Sequence, residues 1–275
     1  MSERLKYLKE KAQEIRQQVL DMCVGAGTGH VTSSFSSTEI LVSLYHGGIL
    51  RTDPSRPDWE ERDRFILSKG QASPLLYVVL ADLGFFPQRN LKKFCCTDGP
   101  FGVHLQHDVA GVEMTSGSLG HGLGVGAGIA LAAKMDEKPQ MVFALLGDGE
   151  CYEGSIWESA LFAAHHQLTN LVAIVDRNKL CVTDFTENIV RLNPLAKKWE
   201  SFGWEAVEVD GHSIKELLTV LKRVRSRRST RPLVIIANTV KGKGVSFLED
   251  VVLWHGVAPQ GKEALRAKKE LQGRR

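Results

Sequence analysis

Cysteine is sparse, and its spacing gives it no structural job. The five cysteines among 275 residues (Cys23, Cys95, Cys96, Cys151 and Cys181) are odd in number and form no CxxC pair. That argues against a zinc site or a disulfide framework and fits a reducing cytoplasm. No apolar run approaches the roughly 20 residues needed to span a membrane. The opening stretch MSERLKYLKEKAQEIRQQVL reads as a charged amphipathic helix rather than an apolar signal segment. A soluble, cytoplasmic protein with no membrane partner is expected.

Charge of one sign is also lacking. A net charge of +3 is too small to argue for a nucleic-acid partner. The one basic run, Lys222 to Arg231 (KRVRSRRSTR), has no interleaved aromatics. It reads as the solvated end of a helix, where cations are favoured, rather than as a polyanion patch. No Pro/Ser-rich linker, repeat or low-complexity stretch divides the chain, so residues 1–275 are expected to form a single domain. At 43% hydrophobic and 24% charged, the composition suits a sizeable core.

Apolar runs alternate with helical patterns along the chain. Phe65-Ile66-Leu67, Met141 to Leu146, Leu171 to Val175, Ala206 to Val209 and Leu233 to Thr239 read as strands. The unbroken apolar character of Met141 to Leu146 and of Leu171 to Val175 fits strands buried on both faces. Helices are expected over Leu5 to Cys23, from Ser73 to Leu83, within Ser118 to Ala133, over Gly154 to Gln167 and from Ile214 to Val224. Gly25 to Gly29 would be a loop, and Ser36 or Ser37 would cap a helix running through Glu39, Leu41 and Leu44. On the Gly154 helix, Ile156, Ala160, Leu161 and Ala164 share one face. The Ser118 segment, with glycine alternating with apolar residues, suggests tight packing and an N-terminus free to face a phosphate. The expected fold class is α/β, a three-layer parallel sheet with helices on both faces.

The chemistry gathers between Leu145 and Leu180. A strand leads into Gly147-Asp148-Gly149, then a helix, a second strand and Asn178-Lys179-Leu180. In such sheets ligands collect at the carboxyl ends of strands, and right-handed crossover brings Asp148 and Asn178 together there. A carboxylate, an amide oxygen and a nearby backbone carbonyl form an all-oxygen set for a hard divalent cation. Phosphate oxygens and water would complete its octahedron, which points to a metal-bridged diphosphate. Gly149 fits because a side chain there would obstruct backbone approach to that group. A dinucleotide fingerprint is disfavoured: Gly120 to Gly128 repeat every second residue, and Val125 stands where GxGxxG needs glycine.

Gly147-Asp148-Gly149 followed by Asn178 resembles the thiamine diphosphate signature, and GDGECYEGSIWESALFAAHHQLTNLVAIVDRNK is similar to the transketolase branch of that family. The likeness extends, in order, through GAGTGHVTSSFSSTEILVSLY, DRFILSKGQASPLLY, GVEMTSGSLGHGLGVGAGIAL and VKGKGVSFLEDVVLWHGVAP. The resemblance implies a thiamine diphosphate-binding fold of the diphosphate type. Mg²⁺ (or Ca²⁺) would be held by Asp148, Asn178 and the Leu180 carbonyl. The cofactor would lie against Gly117, Ser118, Leu119 and Gly149, with Gln71, Glu153, Asn178 and His255 also in contact.

His30, His104 and His255 match imidazoles that line the family's substrate funnel. Glu153 matches a glutamate that couples two active sites across a dimer interface. Together the resemblance makes these four the catalytic set. Two departures stand out. Gln71 occupies a position usually held by histidine, and Val31 to Phe35 (VTSSF) replaces a glycine-rich stretch. A glutamine hydrogen-bonds but cannot be protonated.

In the family, the glutamate that activates the cofactor's pyrimidine ring lies on a second domain, beyond the matched segments. The chain is therefore expected to be the N-terminal subunit of a split transketolase, active only with a pyrimidine-domain C-terminal subunit in an α2β2 heterotetramer. Its implied reaction moves a two-carbon ketol unit from a ketose or ketose phosphate to an aldose. The alternatives are a specialised acyloin-forming, sulfo-sugar or rare-sugar transketolase, or a non-catalytic cofactor-binding scaffold; a 1-deoxyxylulose-5-phosphate synthase, usually one long chain, fits less well.

Overall fold

The computed structural model describes residues 2–273. Met1, Arg274 and Arg275, the ends of the expected 1–275 domain, lie outside the described residues. Five strands, β1 (Arg64–Leu67), β2 (Val142–Gly147), β3 (Leu171–Arg177), β4 (Glu205–Asp210) and β5 (Leu233–Asn238), pair in the order β1-β2-β3-β5-β4. Every pairing is parallel, so all five carboxyl ends open on one edge. Gly147 pairs with Asp176 in register, and Arg177 with Asn238, which sets the ends of β2, β3 and β5 side by side.

Alternation along the strands builds two cores. Phe65, Leu67, Phe143, Leu145, Val172, Ile174 and Ile235 pack with the helices Glu3–Ala26, Thr38–Leu44, Ser73–Leu83 and Ile214–Leu221. Ile66, Val142, Ala144, Leu146, Ala173, Val175 and Ile236 pack with Gly122–Met135, Gly154–His165 and Leu195–Ser201. The period-2 geometry of a strand sends neighbours to opposite faces, and both faces are covered. The three-layer α/β architecture expected from the apolar runs is present.

Several local expectations are corrected. Gly25 and Ala26 belong to the first helix, which stops at Gly27, whose φ of 71° is the left-handed conformation that suits glycine. Val31–Ser36 is a short buried helix where only a loop and a cap were anticipated. The hydroxyls of Ser36 and Ser37 donate to Asp176 (2.6 and 2.9 Å) instead of capping. The Ile214 helix ends at Leu221 rather than Val224. On Gly154–His165 the buried positions are Ile156, Ala160 and Ala163, while Leu161 is 57% exposed.

The basic run is not simply solvated. Arg227 pairs with Glu205 at 3.3 Å, and Arg225 pairs with the buried carboxylate of Asp63. Asp63 also accepts the Arg51 N–H (2.7 Å) and the Met141 N–H (3.0 Å), tying the entry to β2 to the segment before β1. Asp63→Ala strands these buried donors, and a loss of about 2–4 kcal/mol is expected. A urea denaturation series checks it: the midpoint should fall with an unchanged slope, and less so for the more exposed Arg225→Ala.

Candidate active site

The carboxyl ends of β1, β2, β3 and β5 surround one cavity. Its lining includes Lys69, Gln71, Leu119, Asp148, Asn178, Leu180, Lys241 and His255. The strand ends position each of them. Asp148 follows β2, Asn178 follows β3, Lys69 lies two residues past β1, and Lys241 lies three past β5.

Asp148 is buried, and each of its oxygens accepts one backbone N–H: Oδ1 from Gly149 (2.9 Å) and Oδ2 from Lys179 (2.6 Å). Burial, with Asp176 nearby, pushes its carboxyl up to about 6. It therefore lacks the counter-charge it needs. Asn178 is held at both ends: its Oδ1 accepts the Leu180 N–H (3.1 Å) and its Nδ2 donates to Asp176 (3.4 Å). A divalent cation placed against Asp148 would supply the missing charge, and each oxygen keeps a lone pair for it. No cluster of three His, Cys, Asp or Glu side chains suited to a metal occurs among the described residues. The oxygen set expected here instead mixes one carboxylate with an amide and a carbonyl.

Two buried cations share the site. Lys69 pairs with Asp176 and donates to the Ser33 carbonyl (3.2 Å) and the Ser37 hydroxyl (3.0 Å). Lys241, 1% exposed, has no carboxylate partner within ion-pair distance among the described residues. Burial first and Lys69 second lower its pKa to about 8. Its ammonium lies 2.7 Å from His255 Nδ1. An ammonium has no lone pair, so Nδ1 accepts and Nε2 carries the hydrogen. A buried cation facing a cavity with only a neutral ring for company suits a polyanion such as a diphosphate.

His30 stands between the other two rings, with centroids 5.8 Å from His104 and 5.6 Å from His255. Segments more than 70 residues apart thus meet as one imidazole cluster. Burial, then His104, lowers His30 to about 4, and burial, then Lys241, does the same for His255. His30 Nδ1 is buried without a hydrogen-bond partner. Gly117, at φ 145°, lies against His104, where a Cβ would sit 3.0 Å from the ring.

The remaining expected residues are placed less uniformly. Leu119 lines the cavity, whereas Ser118 and Glu153 are exposed. Glu153 packs against Gly120 at the start of the Gly154–His165 helix. The Gly122–Met135 helix does not present a free N-terminus. Its Gly122 N–H donates to Ser68 Oγ (3.0 Å), and the preceding Gly120 N–H donates to Glu150 (2.9 Å). At Gly149 the space is also closed from within the chain, since a Cβ would meet Cys181 Sγ at 2.4 Å. Lys69, Glu150, Asp176 and Lys241 escaped the sequence reading. The available signal was a charged residue at the end of an otherwise apolar strand.

Comparison with known proteins fits this geometry. Residues 8–274 match the family described as "Transketolase, thiamine diphosphate binding domain". The chain is 39% identical to a 6-deoxy-6-sulfo-D-fructose transketolase subunit of a Clostridium species, over 94% of this chain and 93% of that one. It is 40% identical to an apulose-4-phosphate transketolase subunit of Actinobacillus succinogenes, over 96% of each. Human transketolase is 38% identical over 92% of this chain but only 40% of its own length. The crystal structure of Campylobacter jejuni transketolase superposes with a TM-score of 0.89 at 30% identity, covering 99% of this chain and 43% of that one.

The two imidazoles should be neutral through the physiological range. Because their folded pKa values lie below the ordinary 6.5, the associated stability is present above about pH 6.5. It is lost as pH falls through about 4. Ring-resolved NMR titration should find His30 and His255 protonating near pH 4; midpoints near 6.5 would contradict the burial argument.

Proposed function

The chain belongs to the transketolase family, and from that premise we propose that it is the diphosphate-binding half of a two-chain, cytoplasmic ketol-transfer enzyme. The observation that carries this reading is the cavity that gathers Asp148, Asn178 and Leu180 with the buried Lys241, beside a cluster of three imidazoles. Asp148, Asn178 and the Leu180 carbonyl would hold Mg²⁺ or Ca²⁺, and Lys241 would neutralise a diphosphate oxygen. When bound, thiamine diphosphate supplies the electron sink that allows a ketose carbon–carbon bond to break.

The chain's own residues bind, orient and hydrogen-bond. His255, with its hydrogen on Nε2, donates to a sugar hydroxyl or carbonyl, and His30 stands beside it as a second neutral ring. Gln71 adds a neutral hydrogen-bonding group at the cavity wall. Since His30 and His255 are neutral, they take up or orient a proton without setting a fixed positive charge beside the sugar. Glu153, exposed on the surface, is free to meet a second subunit.

The partner chain would bring the pyrimidine domain, completing an α2β2 assembly. Support comes from coverage: this chain spans nearly all of two proteins named as subunits, yet about 40% of the single-chain human enzyme. The donor is a second question. The two subunit relatives are named for a sulfo-sugar and for apulose 4-phosphate, and Gln71 with Thr32, Ser33 and Ser34 departs from the family's usual pattern. These observations favour a specialised ketose over xylulose 5-phosphate.

The metal assignment predicts an order of effects. Asp148→Ala should abolish Mg²⁺-dependent cofactor binding to the assembled enzyme, because it removes the charged ligand. Asn178→Ala should be severe but milder, with water filling the vacated position. Calorimetric titration with thiamine diphosphate decides it, and unchanged affinity in Asp148→Ala would sink the assignment.

A reconstitution experiment tests the activity. The purified chain with thiamine diphosphate and Mg²⁺ should show no two-carbon transfer alone and should gain it with a pyrimidine-domain partner. Among ketose donors, kcat/KM should favour a sulfo-sugar or rare-sugar phosphate. A tenfold preference for xylulose 5-phosphate, about 1.4 kcal/mol in transition-state terms, would instead mark a housekeeping enzyme.

A further inference from the structure

We propose that His212, outside the cavity, is a positioning residue for it. Its neutral imidazole bridges Glu39 to the Val240 N–H and so fixes the backbone that carries Lys241.

The hydrogen bonds dictate the tautomer. His212 Nδ1 lies 2.9 Å from Glu39 Oε2, and the Val240 N–H donates to Nε2 at 2.9 Å. Although burial alone would raise it, Arg16 holds the Glu39 carboxyl down at about 2, so that side chain only accepts. A backbone N–H only donates. The ring must therefore carry its hydrogen on Nδ1 and offer a lone pair at Nε2. Protonation would place a second N–H against the Val240 N–H and break that bond.

The charged groups around the ring favour a fixed orientation. Arg16 reaches Glu39 with two nitrogens, at 2.7 and 2.6 Å, from the first helix. Asp210 accepts the His212 backbone N–H at 2.9 Å, and Glu216 accepts the Asp210 N–H at 3.0 Å. On the far side, the turn is clamped at two more points. The Gly242 N–H donates to the Thr32 carbonyl (3.1 Å), and the Lys241 carbonyl accepts the Asp250 N–H (2.9 Å). Three hydrogen bonds thus aim Lys241 Nζ at His255 and the cavity, and only the His212 bond depends on a proton. Second-sphere contacts of this kind hold the groups that touch a ligand in place.

The part of this inference that concerns ligand affinity rests on the diphosphate reading of the cavity, so the test uses two readouts. The first is amide exchange at Val240 in the full chain without cofactor, corrected for intrinsic rates, with the Ile174 amide as a control for folding. His212→Ala should lower Val240 protection by about tenfold. His212→Gln, whose amide can donate to Glu39 and accept from Val240, should restore it. The second readout is calorimetric affinity for Mg²⁺-pyrophosphate, which should weaken in His212→Ala and recover in His212→Gln. Unchanged Val240 protection in His212→Ala, or no recovery of it in His212→Gln, would overturn the proposal. Loss of protection in His212→Ala with no pyrophosphate binding by wild type would overturn the diphosphate reading and leave the positioning role standing.

Discussion

The site depends on one fully buried carboxylate. Asp176, near the end of β3, accepts hydrogen bonds from Ser36, Ser37 and Thr239 and pairs with Lys69. Those partners come from the Val31–Ser36 helix and its following residue, the end of β5 and the turn after β1. One side chain therefore draws together most of the carboxyl edge. Burying an isolated carboxylate costs far more than a single ion pair returns, so such a group is tolerated only when its lone pairs are filled. Here they are. Burial would raise the Asp176 carboxyl, but Lys69 and the hydroxyls hold it below its ordinary value.

Asp148, at the end of the adjacent strand, has the opposite fate. It is as deeply buried, but it has only two backbone N–H donors and no cation in contact. The two carboxylates repel, and Lys69 is spent on Asp176. The edge is thus neutralised on one strand and left short of positive charge on the next. That asymmetry is the physical reason to place a divalent ion at Asp148 rather than to regard it as another structural ion pair. Glu150 then fixes the turn around it, accepting the Gly147 N–H (3.0 Å) and the Gly120 N–H (2.9 Å) and so coupling Gly147-Asp148-Gly149 to the glycine segment.

How much of this was legible beforehand follows from what each feature needs. The central strands β2 and β3 were readable because a both-faces-buried strand must be apolar nearly throughout, and the Ser73–Leu83 helix agreed at both ends. Asp148 and Asn178 were readable because a strand end followed by a polar turn marks the ligand edge of a parallel sheet. The Val31–Ser36 helix was not: its hydroxyl and β-branched residues have weak helix propensity, and tertiary hydrogen bonds to Asp176 and within the turn hold it. Leu161 was misplaced because its helix buries small residues against Gly122–Met135 and leaves larger ones outward. Lys69 and Asp176 are single charges whose meaning lies in partners 32 to 140 residues away, and that of Lys241 lies in His255, 14 residues on. No local pattern records those distances.

The same separations explain how neutral imidazoles persist beside fixed cations. The Thr32 hydroxyl donates to the Trp254 carbonyl (3.0 Å), pinning the His30 loop to the segment before His255. The Tyr77 hydroxyl donates to the His104 carbonyl (3.1 Å) and anchors the third ring from the Ser73–Leu83 helix. With the rings held close, each proton added would meet Lys241, Lys69 or another imidazole in a partly desolvated space. Burial first and repulsion second therefore keep His30 and His255 neutral, the more firmly the better Lys241 is positioned. The fixed positive charge of Lys241 thereby faces the cavity, where an anion would lie. The uncharged donor of His255 lies directly beside it, where polar but neutral hydroxyls and carbonyls would be recognised. A single lysine thus helps to define both halves of the site.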